Sequence, residues 1–397
     1  MSYETQKKRN FIALLAAYFA ANVIFIMSPA INAMATGMFA DKSYTAVLLV
    51  STISSLCMIP GSLVAGPILN KIGFKKLAII SMGGIAIFGA ACAFTNNLYV
   101  IYVLRGIVGF CIGLGFPLQG TMSLQLFNDA ERPKYLGWAT VSLAVGSVFY
   151  MIVSGYLADH DARYSFLLHL ITLVPLAVVL IFLKQPTAEE IAANNAESPS
   201  RVPEHGKLPG YAIFTAAMFA FIFFTDYTVL LNMSSICAYE HIGGATVAGA
   251  LLSVYCIGNM CGGFLFNPLS KKTGGFVVPV GLILWIAGMG MVAFGHSVPS
   301  IVIGVLLNGT AVQTVWPGTV NSYSTYVPRD KQSLAVGVFV AGMNIGCFLT
   351  TYFIQAVMNF TGSDSPRVPV QYGFVFVAIA GIIWAIVEVG RARKAAK

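Results

Sequence analysis

Charge is what this sequence has least of. Asp, Glu, Lys and Arg together make up 10% of 397 residues, against roughly 25% in an ordinary soluble domain. A chain so poor in charge cannot dress a folded surface for water, which excludes a soluble enzyme or binding module as the bulk of the protein. Paired cysteines are lacking too. Cys57, Cys92, Cys111, Cys256, Cys261 and Cys347 fall inside apolar runs and Cys237 near the end of one, without a CxxC spacing or a zinc set. They read as small core residues, and no metal site is expected. There is no Gly-rich phosphate loop with its lysine, no HExxH pair and no nucleophile elbow. ATP-driven work within the chain is thereby excluded, and no catalytic residue or bound cofactor is expected.

What is present is apolar length. Hydrophobic residues make up 57% of the chain, gathered into runs near the ~20 residues that a helix needs to cross a bilayer. The runs are continuous and not alternating, so closed helices, not barrel strands, must satisfy the backbone in lipid. The predicted fold class is an all-α membrane protein of twelve transmembrane helices. Spans are expected to begin at Phe11, Thr45, Leu77, Tyr99, Tyr135 and Tyr164, then at Pro209, Gly244, Phe276, Pro299, Ser333 and Gln371. The first run follows Lys7, Lys8 and Arg9 but is too long for a cleaved signal, and Pro29-Ala30-Ile31-Asn32 offers no small-residue cleavage site.

The positive charges orient the chain. Of 23 Lys and Arg, all but Lys42, Arg163, Arg367 and the intramembrane Arg105 fall in segments that a cytoplasmic amino terminus would place inside. This is the positive-inside pattern, and it predicts both termini in the cytoplasm and residence in the inner, or plasma, membrane. The formal net charge of +8 is spread over alternate loops without interleaved aromatics, so no nucleic-acid partner is expected. The expected partners are a small-molecule substrate and the lipid bilayer, with the chain a monomer. The one long polar stretch is read as a cytoplasmic linker at 185–208, joining six-helix bundles at 1–184 and 209–397.

Sliding the sequence by 200 positions brings Pro117 onto Pro317, Gly109 onto Gly309, Gly137 onto Gly337, Gly146 onto Gly346 and Lys71 onto Lys271. With loops in register, these matches indicate duplication of a six-helix unit, hence two pseudo-symmetric bundles. A pair of related bundles around one site is a common transporter plan, because rocking exposes the site to each side in turn.

Two short motifs carry a family resemblance. The segment Gly66-Pro67-Ile68-Leu69-Asn70-Lys71-Ile72-Gly73-Phe74-Lys75-Lys76, read as the loop after the second span, resembles the GxLaDrxGrk signature of the major facilitator superfamily. A degraded copy, Ser270-Lys271-Lys272-Thr273-Gly274, follows the eighth span, and Leu104-Arg105-Gly106-Ile107-Val108-Gly109 is similar to that family's RxxxG pattern. The resemblance implies a secondary transporter working by alternating access, with Gly66, Asn70, Lys71, Gly73 and Lys75 in the gating loop. Asn70 stands where the family usually has Asp, which weakens any charged latch there. In the fifth span Gly146 to Gly155 keeps the outer glycines but not the central Gly-Pro pair of the family's drug antiporters. That departure favours uptake over antiport.

Asp226 lies near the middle of the seventh span. A charged Asp there costs about 2.5–3.5 kcal/mol on insertion scales, so it is a functional candidate by default. The leading expectation is a proton-coupling site; a counter-charge for a cationic substrate, a sodium ligand and a packing Asp stay open beside it. Glu388, in the last turn of the twelfth span, is expected to reach the interface. Arg105 has open readings as a snorkelling residue, a structural network, an anion anchor or a proton-relay partner. His169 is a minor coupling candidate, because the resemblance makes the sixth span peripheral. The resemblance also assigns the cavity to spans 1, 4, 7 and 10, which nominates Tyr18, Asn22, Phe25, Gln119, Tyr227, Asn232, Gln313 and Trp316 for substrate binding. The function expected is uptake of a small organic solute by proton-coupled symport, with a sodium gradient as the variant. Proton-coupled efflux of drugs or cations is the alternative, and a transport-inactive receptor or sensor the reading of another class.

Overall fold

The computed structural model describes residues 3–127, 132–184, 208–273, 276–328 and 331–395. Among these residues the regular elements are all helical. Eleven runs are long and apolar enough to cross a membrane, and one of them, Tyr44–Phe94, has 51 residues. A straight helix of that length would reach about 77 Å, far beyond the ~30 Å hydrocarbon core. It turns back at Gly73, whose φ of 78° and ψ of 171° are essentially closed to a residue with a Cβ. The run therefore supplies two spans and the chain is a multi-pass membrane protein of twelve.

The spans are α1 (Thr5–Met27), α2 (44–72), α3 (74–94), α4 (Leu98–Leu126), α5 (Arg132–His160) and α6 (Ala162–Phe182). They continue with α7 (Gly210–Tyr239), α8 (Ala245–Thr273), α9 (Val277–Phe294), α10 (Val298–Tyr326), α11 (Gln332–Thr361) and α12 (Val368–Ala395). Most begin within a few residues of the predicted starts. The exception is α1, which starts before Phe11 because the helix carries Lys7 to Arg9 beyond its apolar stretch. Polar side chains set several starts: Ser43 accepts from Ala46 N, Asn97 from Tyr99 N, and Ser297 from Ser300 N.

One local expectation is corrected. The segment from Gly66 to Lys76 is not a loop: it is helical on both sides of Gly73, so the chain reverses at one glycine. The predicted linker, apart from its last residue Leu208, falls on residues outside the described ones.

The chain divides into two compact units, Met1–Ser200 and Arg201–Lys397. In the first, α1 packs with α5 and α6, α2 with α4, and α3 with α4 and α6; in the second, α7 packs with α11 and α12, α8 with α10, and α9 with α10 and α12. The two lists are the same list advanced by six helices. The glycines matched in the sequence explain part of it. A Cβ on Gly109 would lie 2.1 Å from Ser54 O, and one on Gly309 would lie 2.1 Å from Tyr255 O. Gly146 and Gly346 likewise meet Phe19 O and Ala220 O at 2.4 and 2.7 Å. Close backbone approach, which in lipid replaces the hydrophobic drive to associate, thus recurs at the same places in both halves. The pair Gly137 and Gly337 has open space instead.

Candidate functional site

Asp226 is the chemically exceptional residue of the second unit. It lies midway along α7, on a stretch whose side chains are buried from Thr225 to Cys237. The carboxyl group is completely enclosed, and neither oxygen has a hydrogen-bond partner among the described residues. The indole of Trp285 on α9 is the donor that interacts with it, although its Nε1 does not reach hydrogen-bond geometry. Tyr255 on α8 and Cys347 on α11 lie within its electrostatic reach. Removing an ionised carboxylate from water costs several kcal/mol unless donors or a counter-charge replace the water. Such a group has to be neutralised, and a proton or another small cation can do that.

Aromatic rings close the site on its amino-terminal side along α7. Phe219 packs on Phe223 at 5.7 Å, Trp285 at 5.7 Å, Trp316 at 6.2 Å, Phe339 at 4.4 Å and Trp384 at 6.5 Å between centroids. Of the expected substrate residues here, Trp316 is half-buried within this cluster. Gln313 is half-buried one turn before it, against Gly262 of α8. Tyr227 and Asn232 are fully buried. Tyr227 is adjacent in sequence to Asp226, but its ring stacks toward Phe223 at 5.8 Å.

In the first unit, α1 loses its α-helical form at Ala21–Met27, with Asn22 at φ −92° and ψ 23°. The break lies along a polar seam to α5. Ser142 Oγ donates to Leu15 O at 2.8 Å, Asn22 Nδ2 donates to Ser147 Oγ at 2.7 Å, and Ser154 Oγ donates to Ile26 O. Tyr18 and Phe25 are half-buried on the same helix. Gln119 belongs to α4, but its side chain lies outside the described ones.

Arg105 corrects one reading. It does not snorkel: it is completely buried and faces the other helices of its bundle. Its Nε donates to Val50 O of α2 at 2.9 Å, and Nη1 donates to His169 Nε2 of α6 at 3.0 Å. Because a guanidinium only donates, Nε2 is the acceptor, so the imidazole proton sits on Nδ1 and goes to Phe166 O at 2.9 Å. His169 is therefore a neutral, oriented imidazole in the bundle and not a peripheral residue. Gly89 of α3 makes room for it: a Cβ there would lie 2.3 Å from the ring. Arg105 and Asp226 belong to different units.

In the gating segment, Lys75 Nζ donates to Leu180 O at 2.8 Å, and Arg9 Nη2 donates to Ile181 O at 2.7 Å. Two cations thus cap the carboxyl end of α6, where helix carbonyls are unsatisfied. Asn70 and Lys71 are exposed, while Gly66 is half-buried.

Two further groups have partners that the sequence reading did not give them. Glu388 does not reach the interface; it is buried, with Trp384 Nε1 donating to it at 3.0 Å and Tyr211 Oη in hydrogen-bond contact with it at 3.1 Å. At the other end of this unit, Arg367 is buried and binds both oxygens of Glu240, through Nε and, at 2.6 Å, through Nη2. Its Nη1 donates to Val292 O and to Gly295 O, and His296 approaches Glu240 at 3.6 Å. Both groups lie at span ends, where a linear reading cannot distinguish a side chain turned inward from one turned to water.

Comparison with known proteins agrees with this architecture. The sequence model of the Major Facilitator Superfamily matches residues 11–275 and 215–395. A gallate transporter of Pseudomonas putida is 30% identical over 152 residues, 38% of this chain and 34% of that protein, so the match spans about a third of that relative's length. The uncharacterised MFS-type transporter YceJ of Bacillus subtilis is 22% identical over 307 residues, 75% of this chain and 77% of that one. Among solved structures, a D-xylose-proton symporter superposes with a TM-score of 0.75 at 16% identity, covering 98% of this chain and 97% of the other.

Proposed function

Since the chain belongs to the major facilitator superfamily, we propose that its solute transport is proton-coupled symport, with Asp226 carrying the proton. The reading is uptake of a small organic solute across the cytoplasmic membrane by alternating access, with the chain a monomer and both termini in the cytoplasm. The observation that supports it is the enclosed carboxyl of Asp226, whose oxygens have no partner in hydrogen-bond geometry among the described residues. A group that must be neutralised to stay buried, and that needs water or a counter-charge when ionised, is suited to load on one side of a membrane and unload on the other.

Tyr18, Asn22, Phe25, Gln119, Gln313 and Trp316 are proposed as solute contacts, with Tyr227 and Asn232 joining them in a more open state. Arg105 is proposed to act on coupling indirectly, through the α2–α4–α6 arrangement that it holds. Gallate, the solute named for the Pseudomonas relative, and D-xylose are the first probes to try.

The test uses purified protein in liposomes. A thermal-shift screen identifies a ligand, since binding to the folded state alone raises stability by RT ln(1 + [L]/Kd). Uptake of that ligand is then driven by an imposed inward proton gradient, with a sodium gradient as the comparison. Asp226→Asn is expected to abolish accumulation against a gradient while leaving downhill exchange. Full proton-driven accumulation in that variant would refute the assignment. The aromatic cluster beside Asp226 favours one second reading, proton-coupled export of amphipathic cations, which stabilisation by lipophilic cations alone would select. A ligand that binds without any flux would select the receptor.

A further inference from the structure

We infer that Glu388 is a second proton-binding site of the carboxy-terminal half, with Tyr211 and Ser322 as the hydrogen-bonded chain that holds its proton. The hydrogens in this cluster can be counted. Tyr211 Oη lies 2.7 Å from Ser322 Oγ and 3.1 and 3.3 Å from the two oxygens of Glu388. Ser322 Oγ lies 2.6 Å from Thr319 O, which as a carbonyl can only accept, so the serine proton is used there. With the serine proton placed there, Ser322 accepts from Tyr211, which uses the single tyrosine proton. In that arrangement the contact between Tyr211 and the carboxyl group still needs a hydrogen, and Glu388 supplies it. Trp384 Nε1 donates to Oε1, which leaves Oε2 as the O–H. With the carboxyl protonated every contact is satisfied in one direction, from Glu388 to Tyr211 to Ser322 to Thr319 O. With it ionised, either the short Tyr211–Ser322 contact lacks a proton or Ser322 gives up Thr319 O.

The surroundings fit a proton that can leave. Glu388 is 4% exposed and, among the described residues, forms no ion pair. Its charged and titratable neighbours are Tyr211 from α7, Tyr323 from α10 and Arg391 from its own helix. The Arg391 guanidinium does not pair with the carboxyl; it lies over the ring of Tyr211 at 3.9 Å and that of Tyr326 at 5.1 Å. Loss of the proton would turn the Tyr211 hydroxyl to the carboxylate, release Ser322 and make Arg391 the nearest counter-charge. The proton goes to solvent, and no other covalent bond changes.

This site is distinct from Asp226. Tyr211 and Asp226 are fifteen residues apart on α7, about 22 Å along its axis, with the Phe219 cluster between them. Trp285 and Trp384, one beside each carboxyl, both pack on Phe219.

The test is infrared spectroscopy of the carboxylic-acid C=O stretch in the full chain, titrated from acid to alkaline pH. It is carried out in both the wild type and Asp226→Asn, so it does not depend on transport or on the role of Asp226. In the Asp226→Asn background, one protonated-carboxyl band is expected to persist at neutral pH and to be absent from the further variant Glu388→Gln. Tyr211→Phe, which removes the hydrogen-bond partner but keeps the ring, is expected to shift that band in frequency and in titration midpoint. The second variant decides the matter if Glu388→Gln fails to fold. A spectrum unchanged by Glu388→Gln, or a band unmoved by Tyr211→Phe, would overturn the assignment.

Discussion

At the scale of single residues, enclosed ionisable groups divide by whether protein partners surround them. Arg105 directs Nε to a carbonyl and Nη1 to an imidazole on two other helices, so it ties α4 to α2 and α6. Lys at this position keeps the charge but not the planar fork. One of the two interhelical contacts is then lost. Arg105→Lys is expected to destabilise the purified protein by about 1–3 kcal/mol, read as a lower melting temperature in detergent. His169→Phe is expected to do the same, without additivity in the double variant, because both remove one contact. Unchanged affinity of Arg105→Lys for an anionic solute agrees with this assignment, whereas a large loss of affinity at constant stability would return Arg105 to the substrate. Asp226 is the opposite case, with no hydrogen-bond partner among the described residues to lose.

At the scale of helices, glycine placement decides which pairs touch. The sequence repeat matches three glycine pairs at a shift of 200, but only the Gly109/Gly309 and Gly146/Gly346 pairs meet a facing backbone; Gly137 and Gly337 face open space. A methyl group on Gly109 would collide with Ser54 O at 2.1 Å, so Gly109→Ala must push α4 away from α2. The expected cost is about 1–3 kcal/mol, as for other overpacked sites, and Gly309→Ala should match it in the other unit. Gly137→Ala is expected to be neutral or to stabilise by up to ~1 kcal/mol, through helix propensity alone. Thermal melts of the three variants check the set; equal melting temperatures for Gly109→Ala and Gly137→Ala would contradict the packing assignment.

At the scale of the whole molecule, the link between Arg367 and Glu240 ties together the α7–α8, α9–α10 and α11–α12 connections of its unit. Burial pushes the Glu240 carboxyl up, but the hydrogen bonds and charge of Arg367, with His296 beside it, outweigh this and leave it below the ordinary carboxylate range. A carboxyl held lower in the folded state than in the unfolded chain stabilises fully above its unfolded value of ~4.3. That stability is lost as the pH falls through the lowered folded value. The melting temperature is therefore expected to fall below about pH 4.5 and to fall less steeply in Glu240→Gln. At neutral pH the variant should lose roughly 2–3 kcal/mol, a deeply buried pair's value discounted for partial exposure. Parallel acid limbs for the two proteins would contradict the link.

The sequence by itself determined the solvent, the helix count and the duplication. Low charge with repeated apolar runs leaves a bilayer as the only medium, and a backbone in lipid has to close its hydrogen bonds within helices. It also marked Asp226, because a mid-span carboxylate is costly wherever its helix lies. Tertiary structure decided the side-chain partners. Arg105 and His169 are 64 positions apart and meet only because α4 and α6 pack in one bundle; Glu388 and Tyr211 are separated by 177. A linear pattern records how far a residue lies from the end of a span, but not which way it faces. Direction comes from the packing of helices far apart in the chain, and it is direction that separates an enclosed proton carrier from a charge at the membrane surface.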